Sequence, residues 1–195
     1  MNLTNYCWIF KSAISVDQCQ RIIDEGHKSF KKAKIHKNSE LKNTRNSKIV
    51  WLNNQYLFDM VNKYAESANK NAGWNFQVDF IESLQLTRYT KNQFYHWHRD
   101  ARNEPYENNH VNVNFRNKLR KISMTLNLTD PSTYEGGDLE FNFQDTLDDK
   151  KVSFKESKLQ GSITFFPSFV FHRVTPVTKG TRWSLVAWML GRPYN

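Results

Sequence analysis

The sequence predicts a mainly β protein with flanking helices, an α+β fold built as a sandwich or jelly roll. From about residue 75 onward, apolar residues alternate with polar ones in many short segments that turn residues separate. Before that point, the apolar residues follow helical spacing. The chain has 195 residues and 38% hydrophobic content, enough for one domain with a sizeable core. We therefore expect a single domain, with residues 1–74 as a helical support region and 75–195 as the jelly-roll core.

The first predicted helix begins at Ser15, a residue type that favours the N-cap position. Its apolar residues Cys19, Ile22 and Ile23 are spaced to face a core. Gly26 is a residue type that often ends helices, and we expect the helix to stop there.

A polar and basic segment, residues 30–48, is predicted to be an exposed connection. It leads to a short strand at Ile49–Leu52 and then to a second helix from Asn54 to about Asn71, which Gly73 ends. One stripe of that helix is apolar and should face the core: Leu57, Phe58, Val61, Tyr64, Ala65 and Ala68.

Period-two segments predict the strands of the β core. These segments are residues 79–89, 93–99, 121–128, 138–143, 161–166, 170–176 and 182–189. Between the second and third lies a polar, Asn-rich loop, residues 101–117. Two interpretations of this loop stay open, a lid that contacts substrate and a disordered surface loop.

The net charge of +9 favours an anionic partner, which could be nucleic acid, an acidic protein surface or a small anionic co-substrate. A general enrichment in Lys and Asn is the simpler explanation of this charge, because the basic residues are scattered. The residues that motivate a nucleic-acid surface are Lys31, Lys32, Lys34, Lys37, Arg45 and Lys48. The two cysteines, Cys7 and Cys19, lack metal-binding spacing and are expected to be buried.

No apolar run is long enough to span a bilayer, so no membrane partner is expected. The N-terminal stretch makes a poor signal peptide because Lys11 interrupts its apolar residues. These features predict a cytoplasmic location, in the host cytoplasm if the source is viral.

The residues that carry chemistry are far apart in the sequence. Two imidazoles and one carboxylate are the donors that hold non-haem Fe(II) and leave other positions open, and His98, Asp100 and His172 supply this set. Side chains at i and i+2 of a strand share a face, so His98 and Asp100 should reach one metal while Arg99 points away. The same rule places His96 on that face, which leaves a His96–His98 pair open as an alternative.

His172 lies in the aromatic stretch FFPSFVFHRVTPV, which would make a dry pocket wall. Ten residues later, Arg182 shares a strand face with Ser184. An arginine directed into an apolar barrel needs an anion, and its planar guanidinium binds a carboxylate in bidentate fashion. Ser184 and Tyr89 could add hydrogen bonds to that carboxylate. An interior salt bridge is the alternative for Arg182.

These residues belong to a longer series of motifs, which are LQLTRY (84–89), FYHWHRD (94–100), SMTLNL (123–128), YEGGDLEF (134–141), GSITFFP (161–167), HRVTPV (172–177) and GTRWS (180–184). On these motifs the chain resembles the Fe(II)- and 2-oxoglutarate-dependent dioxygenases, in the branch around prolyl 4-hydroxylases and their bacterial and phage relatives. The resemblance covers roughly Asp79 to the end, and the N-terminal helix and Trp51 also fit it.

The resemblance implies a double-stranded β-helix (jelly roll) with N-terminal helices packed on one sheet. It implies that His98, Asp100 and His172 bind Fe(II), and that Arg182 holds the C5 carboxylate of 2-oxoglutarate. Prolyl hydroxylases often have Lys at this last position. Tyr89 matches a family tyrosine that touches the same carboxylate, and Ser184 could assist.

The activity implied is hydroxylation of an unactivated C–H bond by O2, with succinate and CO2 as co-products and ascorbate as a possible reductant. A peptidyl residue, proline first, is the substrate we expect on this basis. A nucleic-acid or small-molecule oxygenase is the alternative within the superfamily. A jelly-roll binding module that has lost its metal is the alternative of another class.

Overall fold

The computed structural model describes residues 6–30, 44–143 and 151–193. In chain order the elements are β1 (Trp8–Phe10), α1 (Val16–Phe30), β2 (Arg45–Asn46), β3 (Lys48–Leu52), α2 (Gln55–Asn71), β4 (Phe80–Ile81), β5 (Leu84–Tyr89), β6 (Phe94–His98), β7 (Leu119–Asn127), β8 (Glu135–Gly136), β9 (Leu139–Asn142), β10 (Val152–Ser153), α3 (Lys155–Lys158), β11 (Ile163–Pro167), β12 (Phe171–Val174), β13 (Val177–Lys179) and β14 (Arg182–Gly191). No helix in these ranges is long and apolar enough to cross a membrane.

Two antiparallel sheets form a β-sandwich. The major sheet has the strand order β1-β11-β7-β14-β5-β3, with β4 pairing beside β14. The minor sheet has the order β10-β9-β12-β6-β2, and β8 and β13 form a small separate ribbon. The mainly β architecture predicted from the sequence is therefore confirmed, while the single-domain organisation stays a prediction.

Both N-terminal helices contribute buried side chains to the core cluster of the major sheet. In α2 these are Leu57, Val61, Ala65 and Ala68, as the apolar stripe predicted. The helix ends at Asn71, and Gly73 follows with a φ of +74° that suits glycine. Cys7 and Cys19 are free and buried, also as expected.

Helix α1 begins as predicted but does not end as predicted. The Ser15 hydroxyl accepts from the Gln18 N–H at 3.2 Å, and the Gln18 side chain accepts from the Ser15 N–H at 2.9 Å, a reciprocal capping box. The helix then continues past Gly26 to Phe30, so the predicted stop is wrong. Glycine is needed here for close packing, because a Cβ on Gly26 would lie 1.9 Å from Cδ2 of Leu86.

Two predicted segments differ from the structure. Residues 79–89 form two strands, β4 and β5, which both pair with β14. Ile81 lies opposite Met189 and Gln85 lies opposite Val186, so this segment contains one residue more than the matching part of β14. The extra residue interrupts the ladder of hydrogen bonds. The predicted exposed connection at 30–48 is wrong at its C-terminal end, where β2 pairs with β6 and β3 with β5. Residues 31–43 of that connection lie outside the described residues.

Candidate active site

Three predicted metal ligands meet on the inner face of the minor sheet. His98 ends β6 and lies directly opposite His172 on β12. Asp100 follows two residues after the end of β6, where its N–H donates to the Ser168 carbonyl at 3.0 Å. One ligand atom from each of His98, Asp100 and His172 lies within 4.8 Å of the others. The chain thus brings together a donor set of two imidazoles and one carboxylate.

Backbone carbonyls orient both imidazoles for metal binding. His98 Nδ1 lies 2.7 Å from the His96 carbonyl oxygen, and His172 Nδ1 lies 3.0 Å from the Val170 carbonyl oxygen. A carbonyl only accepts, so each Nδ1 carries the proton and each Nε2 keeps a lone pair. Both Nε2 atoms lie beside the Asp100 carboxylate, at 3.7 Å for His98 and 3.5 Å for His172. Such partners to the ring N–H are typical of metal-binding histidines.

The Asp100 carboxylate is held from the major sheet. The Ser123 hydroxyl donates to Asp100 Oδ2 at 2.7 Å and also contacts the Ser168 hydroxyl at 2.9 Å. The Asp100 side chain is only 6% exposed. Burial acts to raise its pKa, but nearby His172, His98 and Arg120 outweigh this effect and lower the pKa below its usual value.

The imidazole of His98 is neutral at physiological pH. Burial, with the neighbouring His172 adding to it, lowers the pKa of His98 to about 4. A metal must displace any proton from its ligands, and a neutral imidazole beside an ionised carboxylate needs no such displacement. The electrostatics and the donor atoms therefore fit a divalent cation such as Fe(II).

His96, the alternative ligand, lies outside this cluster. His172 pairs with His98 and Val174 pairs with Tyr95, so β6 has one more residue than β12 between these two pairs, which is a β-bulge. This bulge breaks the period-two rule, so Tyr95 rather than His96 stacks on His98, with ring centroids 3.5 Å apart. The alternative of a His96–His98 pair is not supported by this geometry.

Arg182 is the buried cation of the site. It begins β14 opposite Tyr89, is 3% exposed, and donates to the Ser184 hydroxyl at 3.3 Å. The guanidinium lies 5.8 Å from the centre of the Tyr89 ring. It forms no ion pair within the described ranges, so the interior salt bridge considered for it is not seen there. A buried, unpaired guanidinium suits a carboxylate ligand such as that of 2-oxoglutarate.

Two neighbours prepare the surroundings of Arg182. Burial raises the pKa of Tyr89 against the opposing influence of Arg45 and Arg182, so the phenol stays protonated and can donate a hydrogen bond. Gly137, with a φ of +62°, leaves room for the arginine, because a Cβ there would lie 2.9 Å from Arg182 Cδ. Gly137 therefore has a packing role beside Arg182.

A pocket extends from the metal-ligand cluster to Tyr89 and Ser184, the neighbours of Arg182, while Arg182 itself lines a second cavity. The lining residues of the pocket at the cluster are Arg45, Gln85, Tyr89, Tyr95, His98, Asp100, Met124, Thr125, Leu139, Phe166, His172, Val174, Ser184, Val186 and Trp188. Apolar and aromatic side chains dominate this lining, which is typical of ligand sites that exclude water. The aromatic stretch before His172 contributes Phe166, whose ring centroid lies 4.6 Å from that imidazole.

Arg45 is a site residue that the sequence analysis assigned wrongly, to an exposed basic surface. Its guanidinium donates to Gln85 at 3.2 Å and to Thr87 at 3.3 Å, and lies 4.7 Å from the centre of the Tyr95 ring. Of the other basic residues behind the nucleic-acid hypothesis, Lys48 is exposed on β3. Lys31, Lys32, Lys34 and Lys37 lie outside the described residues.

Tyr95 and Trp188 are further pocket residues that the sequence analysis did not single out. A signal existed for Trp188, since it lies six positions after Arg182 on a predicted strand and therefore shares its face. No such signal existed for Tyr95, which the bulge brings to the inner face.

The loop 101–117 folds around its own aromatic side chains. Phe115 contacts Tyr106, His110 and Phe80, with ring centroids 5.0 to 5.4 Å apart. The interpretation as a disordered loop is therefore wrong, and its role as a lid stays a prediction.

Comparisons with known proteins agree with this geometry. Residues 84–190 match the 2OG-Fe(II) oxygenase superfamily. The PKHD-type hydroxylase YbiX of Escherichia coli is 30% identical over 158 residues, which cover 78% of this chain and 60% of YbiX. The chain spans only about two fifths of the length of other curated relatives that it matches, such as the PKHD-type hydroxylase of Pseudoalteromonas atlantica (41%).

Solved structures confirm the jelly-roll fold. A Pseudomonas putida prolyl-4-hydroxylase superposes with a TM-score of 0.70 at 19% identity, covering 98% of this chain and 96% of that chain. A viral collagen prolyl hydroxylase from Paramecium Bursaria Chlorella virus-1, solved as its 2OG complex, gives 0.66 at 20% identity, covering 95% and 96%. The family match extends over more than half of the chain and contains every residue of the metal-ligand cluster, together with Tyr89, Arg182 and Ser184. The chain therefore belongs to the 2OG-Fe(II) oxygenase superfamily.

Proposed function

We propose that this protein is an Fe(II)- and 2-oxoglutarate-dependent dioxygenase that hydroxylates an unactivated C–H bond of a peptidyl residue, proline first. Succinate and CO2 are the co-products. One observation carries the proposal, namely the cluster of His98, Asp100 and His172 in an apolar pocket whose lining includes Tyr89 and Ser184, the two neighbours of the buried Arg182.

Nε2 of His98, Nε2 of His172 and the carboxylate of Asp100 would hold the metal. Their orientation is set in advance by the two backbone carbonyls and by Ser123. Bound iron supplies the activation of oxygen, which side chains do not provide. The protein's own contribution is to fix three donors on one side of the site and to surround them with a dry wall.

The co-substrate is oriented by the residues at the other end of the pocket. Arg182 offers two parallel N–H groups to a carboxylate, and Ser184 and Tyr89 each offer a hydroxyl. Because Arg182 is 3% exposed, little water competes for this carboxylate. The same three residues should discriminate against co-substrates that lack a distal carboxylate.

A peptidyl prolyl substrate is supported by the aromatic residues around the cluster. Tyr95 stacks on His98, and Trp188 lines the same pocket with a guanidinium from Arg120 4.0 Å from its ring centre. Two flat, rigid rings beside the metal site suit a compact apolar ring better than a long charged side chain. The two similar solved structures named above are prolyl hydroxylases by name, which favours the same substrate class.

The test measures succinate formed from 2-oxoglutarate under air with Fe(II) and ascorbate, together with mass spectrometry of proline-containing peptides. We expect a gain of one oxygen atom on proline, loss of both signals in His98→Ala, and a KM for 2-oxoglutarate raised by about a hundredfold in Arg182→Ala. His96→Ala is the matched control, since it removes an exposed imidazole from the same strand. Turnover with a small molecule or nucleic acid but with no peptide would contradict the peptidyl assignment. Absence of bound iron would favour a binding module instead.

A further inference from the structure

Strand β3 exposes two large apolar side chains on the inner face of the major sheet. Ile49 is 38% exposed and Trp51 is 47% exposed. In the antiparallel ladder Ile49 lies opposite Thr87 and Trp51 lies opposite Gln85, and directly paired residues project to the same face. Gln85 lines the metal-site pocket. The inner face of the sheet thus continues beyond the pocket as an exposed surface, which we call the β3 strip (Ile49 and Trp51).

The β3 strip lies at the edge of the major sheet, next to residues of β5 that are covered. Arg45 on β2 reaches across to Gln85 and Thr87, which are 3% and 0% exposed. Among the described residues, β3 is the last strand of the major sheet. A row of inner-face residues is therefore covered on β5 and uncovered on β3.

The β3 strip and the metal-site pocket share one wall. The ring centroids of Trp51 and Trp188 are 6.2 Å apart, and Trp188 lines the pocket while being 5% exposed itself. Arg120, paired with Glu82 at 2.6 Å, lies against Trp188 and limits its movement. The contact between Trp51 and Trp188 thus links the exposed β3 strip with the lining of the metal-site pocket.

We infer that the β3 strip binds an apolar side chain of the substrate polypeptide, a few residues away from the residue that enters the pocket. This inference rests on the proposed function. When one residue of a polypeptide lies in the pocket, the rest of the chain passes over the rim of the pocket. Since an extended chain advances about 3.3 Å per residue, residues close to that one in sequence reach the β3 strip. Leucine-like or aromatic side chains would bury Trp51 and Ile49 there, while charged ones would not.

The experiment uses ten-residue peptides with a central proline, in which leucine or glutamine is placed in turn at each other position. For the intact enzyme we expect leucine at one position to lower KM and the dissociation constant about tenfold, with kcat little changed. Trp51→Ala should remove this preference, and Trp51→Phe should keep most of it. Val16→Ser is the matched control, because Val16 is an exposed apolar residue of α1.

Two further measurements separate the β3 strip from the proposed function. Succinate formation without peptide should be unchanged in Trp51→Ala, which shows that the metal centre is intact. Peptide affinity is measured under argon, where no O2 is available for hydroxylation, so it reports on the β3 strip alone. Peptides that bind with the leucine preference but gain no oxygen under air would contradict only the proposed function. The inference is overturned if peptides bind or react without any leucine preference, or if the preference survives in Trp51→Ala. Binding of single-stranded oligonucleotides is measured in parallel, and a Trp51→Ala variant that loses affinity for these alone would also overturn it.

Discussion

The two sheets differ in size and in what they carry. The central strands β7 and β14 of the major sheet have nine and ten residues and are buried along nearly their whole length. The minor-sheet strands β6 and β12 have five and four residues, yet they carry both histidines of the cluster. Packing energy grows with buried apolar area, whereas positioning three ligands needs only a few directed hydrogen bonds. The longest buried strands thus belong to the major sheet, while two of the three candidate metal ligands belong to the minor sheet.

The largest difference between an effect on metal binding and an effect on stability is expected from His172→Ala in the minor sheet. Removing one of three ligands should lower metal affinity and reduce turnover at least about a thousandfold, while the thermal unfolding midpoint of the metal-free protein changes little. Anaerobic iron titration and calorimetry on the same sample check this. A large loss of stability without metal would show that the cluster also supports the fold.

The converse change is Gly26→Val, which affects only the packing of α1 on the major sheet. The added side chain collides with Leu86, so the free energy of unfolding should fall by about 2 to 3 kcal/mol. Metal affinity of the folded fraction should be unchanged. Urea denaturation measures the free energy of unfolding, and iron titration measures the metal affinity. Lys28→Val is the control, because Lys28 is exposed and its replacement should change the free energy of unfolding by no more than about 0.5 kcal/mol. An equal loss in both variants would contradict the packing argument.

Acid should weaken the metal-free protein through the minor sheet. The pKa of His98 is lowered to about 4 in the folded protein, against an ordinary value of 6.5, so the unfolded chain binds the proton more readily between these values. The free energy of unfolding should therefore fall by about 2 kcal/mol from pH 7 to pH 5. Urea denaturation at both pH values measures it. In His98→Ala the dependence should be clearly flatter, and an unchanged slope would count against the lowered pKa.

The smallest effect is expected where the two sheets touch, in Ser123→Ala. The variant removes the hydroxyl that donates to Asp100 but leaves all three ligands in place. Metal affinity should fall about tenfold, as is typical for the partners of metal ligands. Competition with a chelator measures this. Ser162→Ala is a control, since Ser162 is a buried serine that contacts the Ser12 N–H instead. Equal losses in both variants would point to a general packing defect.

The parts of this fold that follow simple periodicity could be predicted from the sequence. The apolar stripe of α2 and the strands around Leu126 and Leu185 belong to this class. Prediction failed where a tertiary contact overrides the local rule. Gly26 continues a helix because Leu86 lies against it, and the bulge in β6 exchanges Tyr95 for His96. Arg45 carried no periodic signal, because its role depends on β5, forty residues later in the chain.

The short elements β1, β2, β8, β10 and β13 were not predicted, for a related reason. Each has two or three residues, too few for alternation to be detected. β1, β2 and β10 pair with longer strands, and β8 and β13 pair with each other. β1, for example, pairs with β11 over only three positions.

Both imidazoles are oriented by the main chain two residues earlier, at the carbonyls of residues 96 and 170. A carbonyl is present whichever side chain stands at a position, so the tautomer of each histidine does not depend on neighbouring side chains. The exposed residue 96 can therefore vary, by evolution or by design, without disturbing the ligand geometry, whereas Val170 is also a buried core residue. A library that changes residue 96 and the rim around Trp51 would explore new substrates while keeping the three candidate ligands.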